Sequence, residues 1–321
     1  MTAGGHHSVR VVVTLSAAEA QPWMDLFRDA LPEVSIERRE PGQPAQPAEP
    51  PADYIVMAEP CGTVFDAQRA PKAVFTASAG VAHLLRLPNL PRHVPVSRLE
   101  DAGMAQPMAR YVLAAALRFL LRLDTYAQQQ RAGTWEQHDP REPAAIRVGV
   151  LGLGMIGATI ARELAAQGFA MRGYAASAKD IAGVDCFAGR DQLAIFLDGV
   201  DFLVNVLPLT PATTGLLDEK LLTLLADGAH VVNIGRGATL VDTDLLALLD
   251  SGKLSGATLD VFAPEPLAPT HPFWTHPRVT ITPHVAGLTV PEDAVAQIAA
   301  KIRKLERGEA VTGLVDWTRG Y

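Results

Sequence analysis

The chain has 321 residues, more than one hydrophobic core usually serves, which predicts two folded domains. Hydrophobic residues make up 48% and charged residues 20%, a balance that excludes a disordered protein. A formal net charge of −7 with no run of Lys or Arg argues against a nucleic-acid partner, which needs a basic surface. The most apolar stretch, 111–123, is interrupted by two arginines, and residues 1–13 lack a signal-peptide pattern, so we expect a cytoplasmic protein without a membrane partner. Cys61 and Cys186 lie far apart and outside any metal-ligand spacing, which predicts reduced thiols and no metal site.

Short apolar strands predominate in the first third of the chain. The predicted strands are 9–15, 34–38, 54–57 and 73–76, with a helix over 19–31. The segment 41–51, rich in Pro, Ala and Gln, is predicted to be an exposed loop because it suits neither a helix nor a central strand. After the fourth strand, Ser78, Ala79 and Gly80 form a predicted turn that exposes backbone N–H groups.

A long helix is predicted over Pro107–Arg131, and from Ile146 onwards strands, turns and helices alternate. The strands predicted in this second part are 146–151, 170–174, 202–207, 230–234, 256–260 and 279–282. Such alternation is typical of a parallel sheet with helices on both faces. A last helix, Pro291–Gly308, leads out of this unit.

A glycine-rich turn, Gly152-Leu153-Gly154-Met155-Ile156-Gly157, lies between the strand 146–151 and the predicted helix 158–167. The first glycine permits a tight turn, the second lets the backbone approach a pyrophosphate, and the third lets helix and strand pack closely. The free N–H groups and the dipole of the helix N-terminus favour phosphate at the same place. A glycine motif alone is weak evidence, but between a strand and a helix it predicts a dinucleotide site.

The end of the next strand, near Ala175, should distinguish NAD from NADP. An NAD-specific site has Asp or Glu there for the ribose 2′-hydroxyl, whereas the first acid here is Asp180. Ser177 and Lys179 could bind a 2′-phosphate instead, so NADP is favoured. Lys179 could equally be an ordinary surface lysine, which leaves NAD open.

Three polar loops follow predicted strands. They are 232–237 with Arg236, 259–266 with Glu265, and 282–287 with His284. Hydride reduction of a keto acid needs a cation for the substrate carboxylate, an acid for the carbonyl oxygen, and a group that tunes this acid. Taken singly, the three residues could also be a surface ion-pair partner, a loop carboxylate and a packing histidine. Sequence spacing does not show that they converge.

The glycine turn and the three loops occur together with four further segments, 77–81, 99–104, 207–210 and 319–321. In combination they resemble the D-isomer-specific 2-hydroxyacid dehydrogenase family, and within it most closely the bacterial glyoxylate/hydroxypyruvate reductases of the A type. The resemblance extends from about Asp53 to Tyr321. It implies an enzyme that reduces a small 2-keto acid, such as glyoxylate or hydroxypyruvate, with NADP or NAD.

The resemblance also implies a role for each polar residue. Arg236 is the anchor for the substrate carboxylate and carbonyl, His284 is the proton donor, and Glu265 keeps His284 protonated, since a nearby negative charge favours imidazolium. Backbone N–H groups of Ala79 and Gly80 are implied to bind the substrate carboxylate. The further residues implied along the cofactor are Leu207, Pro208, Ile234 and Asp260, the last near the nicotinamide carboxamide.

The fold implied is α/β, with a doubly wound parallel-sheet (Rossmann) dinucleotide domain inserted in a smaller, flavodoxin-like α/β substrate domain. The implied boundaries are 1–103 and 289–321 for the substrate domain and 104–288 for the dinucleotide domain. A homodimer is implied, through the region around Pro107–Trp135.

Two departures from the family pattern bear on specificity. Ala82 stands where many relatives have Asp, which leaves the substrate preference open. Ala176 and Ala178 stand where A-type relatives often have arginines, which weakens the prediction of NADP.

Two other functions share this fold. Adenosylhomocysteine hydrolases retain NAD through turnover, but they are longer and lack the Arg–Glu–His set. An NAD(H)-sensing protein, like the related transcriptional corepressors, keeps the three residues, so the motifs alone do not separate catalyst from sensor. The chain has no basic partner surface of the kind that would favour the second function.

Overall fold

The computed structural model describes residues 8–18, 20–44, 46, 49–59, 61–65, 70–78, 80–318 and 320. Glu19, Ala79, Arg319 and Tyr321, which the sequence patterns include, lie outside the described residues. The chain divides into two compact units, one formed by Met1–Gly103 with Thr289–Tyr321 and the other by Met104–Leu288. Within the described residues, every helix falls short of the length and apolar character needed to cross a membrane.

The first unit contains a five-stranded parallel sheet. Its strands are β1 (Arg10–Thr14), β2 (Ser35–Arg39), β3 (Tyr54–Met57), β4 (Ala73–Thr76) and β5 (Val96–Ser97), accompanied by helices α1 (Ala20–Ala30) and α2 (Ala82–Leu85). The spatial order β2-β1-β3-β4-β5 is the flavodoxin-like order that was predicted. β1, β3 and β4 are buried throughout, which explains why most of their residues are apolar. The two-residue strand β5 was not predicted.

The second unit contains a seven-stranded sheet in which every pair of neighbours is parallel. Its strands are β6 (Arg147–Leu151), β7 (Ala170–Ala175), β8 (Val184–Ala188), β9 (Phe202–Asn205), β10 (Ala229–Asn233), β11 (Leu254–Leu259) and β12 (Val279–Ile281). Its helices are α3 (Ala105–Leu120), α4 (Leu123–Ala132), α5 (Met155–Ala166), α6 (Leu193–Leu197), α7 (Glu219–Leu222) and α8 (Asp242–Asp250). The order β12-β11-β10-β9-β6-β7-β8 confirms the predicted doubly wound fold.

The strand order of this sheet reverses between β6 and β9, which are neighbours in the sheet although β7 and β8 separate them along the chain. In an open α/β sheet this reversal opens a crevice at the carboxyl ends of the strands, where ligands bind. The glycine turn follows β6, and the predicted polar loops follow β10, β11 and β12. The topology therefore positions all of them at the same edge of the sheet.

The long helix predicted over Pro107–Arg131 is divided in two. α3 ends at Leu120, α4 begins at Leu123, and Arg122 between them has a left-handed backbone with φ of 54°. The residues of α4 are all at least partly exposed, so there is no buried face to continue the packing of α3. Helical periodicity did not indicate this change of direction because both segments have helix-forming residues.

The last helix, α9 (Pro291–Glu306), returns to the first unit. Proline at its start and acids in its first turn suit a helix N-terminus, and basic residues in its last turn complement the opposite end. The buried ammonium of Lys301 donates to Ser97 Oγ at 3.0 Å and to the carbonyl oxygen of Arg98 at 2.9 Å. These bonds fix the helix beside β5.

Candidate active site

The glycine turn after β6 has the shape of a phosphate cradle. Gly152 has φ of 113°, which a residue with a side chain rarely adopts, and a Cβ at Gly157 would overlap the carbonyl oxygen of Gly152. A Cβ at Gly154 would meet open space. α5 begins at Met155 without a side-chain cap, so its first N–H groups point towards that space. The residues present therefore fit the pyrophosphate of a dinucleotide.

The other predicted cofactor residues differ in exposure. Ser177 and Lys179 are exposed just beyond the end of β7. Beyond β9, Leu207 is partly buried and Pro208 is exposed. Ile234 has only 3% of its surface exposed, so its side chain belongs to the core and only its backbone is available to a ligand.

Two buried asparagines shape the loop that contains Arg236. Asn205, the last residue of β9, donates from Nδ2 to Asn233 Oδ1 at 3.0 Å and to Thr239 Oγ1 at 2.7 Å. Thr239 Oγ1 in turn donates to the carbonyl oxygen of Arg236 at 2.6 Å. The predicted site did not include these residues, although two apolar strands that both end in Asn were a visible signal.

Arg236 follows β10 and lies close to the loop after β11. A Cβ at Gly237 would overlap the backbone of Phe262, so the two loops pack directly against each other. The guanidinium Nη1 donates to the carbonyl oxygen of Gly235 at 2.6 Å. Burial lowers the pKa of Arg236, and the negative charge of Glu265 opposes that shift. The side chain thus provides a partly buried cation near Glu265.

Glu265 and His284 form a hydrogen-bonded pair. His284 Nδ1 lies 2.7 Å from Glu265 Oε2, and Glu265 Oε1 accepts from the backbone N–H of Phe262 at 2.9 Å. The peptide bonds before Pro264 and Pro266 are both cis. The side chains of His284 and Glu265 are 46% and 37% exposed, so the pair is open to solvent and to a small ligand.

Asp260, buried with 1% exposure, holds the segment that contains His284. Its Oδ1 accepts from Thr282 Oγ1 at 2.5 Å and from the N–H of Val285 at 2.8 Å, and its Oδ2 accepts from the N–H of Ala286 at 2.9 Å. The N–H of His284 donates to the carbonyl oxygen of Asp260 at 2.8 Å. This carboxylate, predicted near a cofactor, is thus engaged by the His284 loop. Thr282 was not predicted.

Gly80 belongs to the first unit, where it follows β4. Ser78 Oγ donates to the carbonyl oxygen of Gly80 at 2.8 Å and lies 2.9 Å from Thr76 Oγ1. These bonds connect Ser78 to the described residues Thr76 and Gly80. The adjoining Ala79 is outside the described residues.

Three predicted site residues therefore come together at one sheet edge. Arg236 follows β10, Glu265 lies in the loop after β11, and His284 follows β12, three strands that are neighbours in the sheet. The arrangement combines a cation for an anionic group with an imidazole whose Nδ1 has a carboxylate partner. Chemically, it can hold a small acid and supply or take a proton at Nε2.

Comparison with known proteins gives consistent matches. The model of the NAD-binding domain of D-isomer specific 2-hydroxyacid dehydrogenases matches residues 113–286. Glyoxylate/hydroxypyruvate reductase A of Serratia proteamaculans is 43% identical over 307 residues, 94% of this chain and 96% of the relative. The corresponding protein of Yersinia enterocolitica is 42% identical over 308 residues, 94% of this chain and 97% of the relative.

Solved structures of the same family match nearly the whole chain. A D-isomer specific 2-hydroxyacid dehydrogenase from Xanthobacter autotrophicus, in complex with NADPH and MES, has a TM-score of 0.91 and 38% identity, covering 98% of this chain and 100% of its own. An NADPH-dependent glyoxylate/hydroxypyruvate reductase from Sinorhizobium meliloti, in complex with NADP and sulfate, has a TM-score of 0.87 and 33% identity with the same coverage. Sequence, fold and the shared domain model together place this chain in the D-isomer specific 2-hydroxyacid dehydrogenase family.

Proposed function

We propose that this chain is an NAD(P)-dependent dehydrogenase that reduces a small 2-keto acid, such as glyoxylate or hydroxypyruvate, to the 2-hydroxy acid. The observation that carries the proposal is the 2.7 Å contact between His284 and Glu265, next to the cation of Arg236. Relatives named glyoxylate/hydroxypyruvate reductase that match 94% of the chain support the substrate class.

His284 is the proposed proton donor. In the imidazolium form both ring nitrogens have a proton, and Nδ1–H donates to Glu265 Oε2. Nε2–H is then the donor that faces a substrate carbonyl oxygen and transfers its proton as the oxygen gains charge. Glu265 stabilises the positive ring before transfer and fixes its orientation through a carboxylate that the Phe262 N–H also binds.

Arg236 is the proposed anchor of the substrate carboxylate and carbonyl. Partial burial strengthens its attraction for an anion because water competes less at low dielectric. The planar guanidinium also binds a carboxylate in a defined orientation. We assign Ala79 and Gly80, whose backbone N–H groups the sequence predicts at the substrate carboxylate, to the same task.

The cofactor site proposed here is the crevice edge beyond β6. When bound, the nicotinamide cofactor supplies the hydride that reaches the keto carbon. The backbone of Gly152, Gly154 and Gly157 would hold its pyrophosphate, together with the first turn of α5. The residues proposed along the remainder of the cofactor are Met155, Ile156, Leu207, Pro208, the backbone of Ile234, and Asp260.

NADPH is the proposed preferred form of the cofactor. Ser177 and Lys179 are exposed beyond the end of β7, where a 2′-phosphate would lie, and the stretch from Ala175 to Lys179 contains no acid. The relatives from X. autotrophicus and S. meliloti were solved with NADPH and NADP, respectively. The test is the ratio of kcat/KM for NADPH and NADH. Lys179→Glu should weaken NADPH selectively, and a strong preference of the unmodified protein for NADH would contradict the assignment.

We further propose a cytoplasmic homodimer that associates through the α3–α4 region. Leu121, Leu123 and Trp135 are 55%, 47% and 95% exposed, which is unusual for three large apolar side chains in one region. Light scattering of the purified protein gives the oligomeric state. Trp135→Ser should weaken the dimer, and a monomeric unmodified protein would contradict this part of the proposal. The free thiols of Cys61 and Cys186 suit the reducing cytoplasm.

The decisive experiment is steady-state oxidation of NADPH and NADH in the presence of glyoxylate and of hydroxypyruvate. We expect turnover by the unmodified protein and a loss of kcat on the order of a hundred- to ten-thousand-fold in His284→Asn, with cofactor binding retained. Cofactor binding without turnover of either acid would instead support the NAD(H)-sensing protein.

A further inference from the structure

One face of α3 packs against the segment that contains His284. Met104, Met108 and Tyr111 follow a spacing of four and three residues, which places them on the same side of a helix. A Cβ at Gly287 would overlap the side chain of Met108. Tyr111 Oη lies 2.6 Å from Thr282 Oγ1. This face therefore contacts the segment both before and after His284.

The hydrogen bonds of this contact have a definite direction. Thr282 has a single hydroxyl proton, which it donates to Asp260 Oδ1 at 2.5 Å, so its oxygen accepts from Tyr111 Oη–H. Burial raises the pKa of Tyr111, the bond with Thr282 opposes this shift, and the charge of Asp260 adds to it. The phenol therefore keeps the proton that it donates.

The chain of bonds ends at the backbone around His284. Asp260 accepts the N–H groups of Val285 and Ala286, the two residues that follow the histidine. His284 itself has φ of 57°, a left-handed conformation that a residue with a side chain adopts only when its surroundings hold it there. The orientation of the ring towards Glu265 thus depends on how firmly Asp260 holds these two N–H groups.

We propose that Tyr111 is a positioning residue for the reaction, because its hydroxyl fixes the Thr282 hydroxyl on Asp260 and thereby holds His284 in contact with Glu265. This inference rests on the proposed function of His284 as proton donor. Without the phenol O–H, the Thr282 hydroxyl is free to rotate away from Asp260. The carboxylate then loses one of three hydrogen bonds, and the backbone of His284 becomes less restrained.

The charged groups around the imidazole are Glu265, which contacts it, Asp260, whose carboxylate binds the next two N–H groups, and Arg236, close enough to interact with Glu265. Tyr111→Phe changes none of these charges. A change in the pH profile of this variant must therefore come from the position of the ring relative to Glu265. A hydrogen bond that served only stability would leave that profile unchanged.

The test compares Tyr111→Phe with the unmodified protein in glyoxylate reduction as a function of pH. We expect kcat to fall about fivefold, the equivalent of one hydrogen bond, while KM for NADPH stays the same. The decline of activity at high pH should begin at lower pH, because the imidazolium spends less time next to Glu265. In a Glu265→Gln background, Tyr111→Phe should cause no further shift of the profile.

Two further variants complete the design. Tyr126→Phe removes another phenol O–H of the same unit, one that accepts from the N–H of His138 at 3.2 Å, and should keep the unmodified pH profile. Thr282→Val should reproduce the lower kcat and the shifted pH profile of Tyr111→Phe. Thr282→Ser retains the hydroxyl and should have a kcat and a pH profile close to those of the unmodified protein.

The outcomes separate this inference from the function on which it rests. If the unmodified protein reduces no keto acid, the proposed function fails. If it does, but Tyr111→Phe has an unchanged kcat and pH profile, only the positioning role is overturned. The same holds if Tyr111→Phe lowers the melting temperature without moving the profile, because the phenol would then serve the fold alone.

Discussion

His230 makes the stability of the second unit sensitive to acid. This histidine lies in the interior strand β10. Its ring is stacked on Phe202 at a centroid distance of 5.5 Å, and its Nε2 lies 2.9 Å from Thr258 Oγ1. Burial lowers the pKa of His230 to about 4, with a small opposing contribution from Asp124 and a small additional lowering from Arg118. The neutral ring is therefore the form that the folded protein accommodates.

The direction and size of the effect follow from this shift. The pKa of His230 is 6.5 in the unfolded chain and about 4 in the folded protein, so the unfolded chain binds the proton more tightly. The free energy of unfolding is therefore highest above this pH range and decreases as pH falls from 6.5 to 4. At 1.36 kcal/mol per pKa unit, the full loss is about 3 kcal/mol, of which about 2 kcal/mol falls between pH 7 and pH 4.5.

The perturbation is His230→Gln, which retains a nitrogen for Thr258 but does not titrate. The free energy of unfolding in urea is measured at several pH values for both proteins. The variant should be less stable at pH 7, because it lacks the stacked ring, but its stability should fall less steeply on acidification, by about 2 kcal/mol down to pH 4.5. Carboxylate protonation contributes to both proteins and cancels in the difference.

The matched control is His93→Gln, which removes an exposed histidine of the other unit and should retain the acid slope of the unmodified protein. Parallel curves of stability against pH for the unmodified protein and His230→Gln would refute the reasoning. His230 would then have to take up its proton in the folded state without cost.

The remaining predictions concern the site. The proposed role of His284 requires its imidazolium form for reduction, so kcat/KM should be high at low pH and fall as pH rises. Glu265→Gln should move this fall to lower pH, and superimposable profiles would leave Glu265 without a catalytic role. Arg236→Lys keeps the charge but not the planar fork, so kcat/KM for glyoxylate should drop about a hundredfold, and near-normal kinetics would contradict the anchor. Gly157→Ala inserts a Cβ into the space of the Gly152 carbonyl, so NADPH binding, titrated by fluorescence, should weaken about tenfold or more, with a thermal melt to check the fold. An unchanged Kd would mean that the turn does not bind the pyrophosphate.

The sequence predicted elements well wherever burial imposes a repeated pattern. Tyr54–Met57 and Ala73–Thr76 were predicted with the bounds that the structure has, because strands buried on both faces contain little but apolar residues. The break in the helix at Arg122 was missed because it depends on the backbone of one residue and on which surfaces lack a partner, not on periodicity.

The site residues also divide into those that local sequence patterns predict and those that depend on tertiary packing. Arg236, Glu265 and His284 were predicted as loop residues after parallel strands, and the adjacency of β10, β11 and β12 brings the loops together. Tyr111 and Thr282 are 171 positions apart, and no local pattern indicates that a helix hydroxyl meets a loop hydroxyl. Residues that position others are thus harder to predict than residues at strand ends, since they depend on tertiary packing alone.

Arg236 and His284 differ in burial, and this difference suits the different roles proposed for them. Arg236 has a permanent charge and is the proposed anchor of an anion, so partial burial would strengthen its attraction while the guanidinium remains protonated. As the proposed proton donor, His284 would have to regain a proton after each reduction, which requires contact with water, and its side chain is 46% exposed. A buried His284 would hold substrate in a drier site but would exchange protons slowly. It would also resist the imidazolium form, as the buried His230 of β10 does. The fold satisfies both needs because β10 lies inside the sheet and β12 at its edge, so the loops after them differ in their access to solvent.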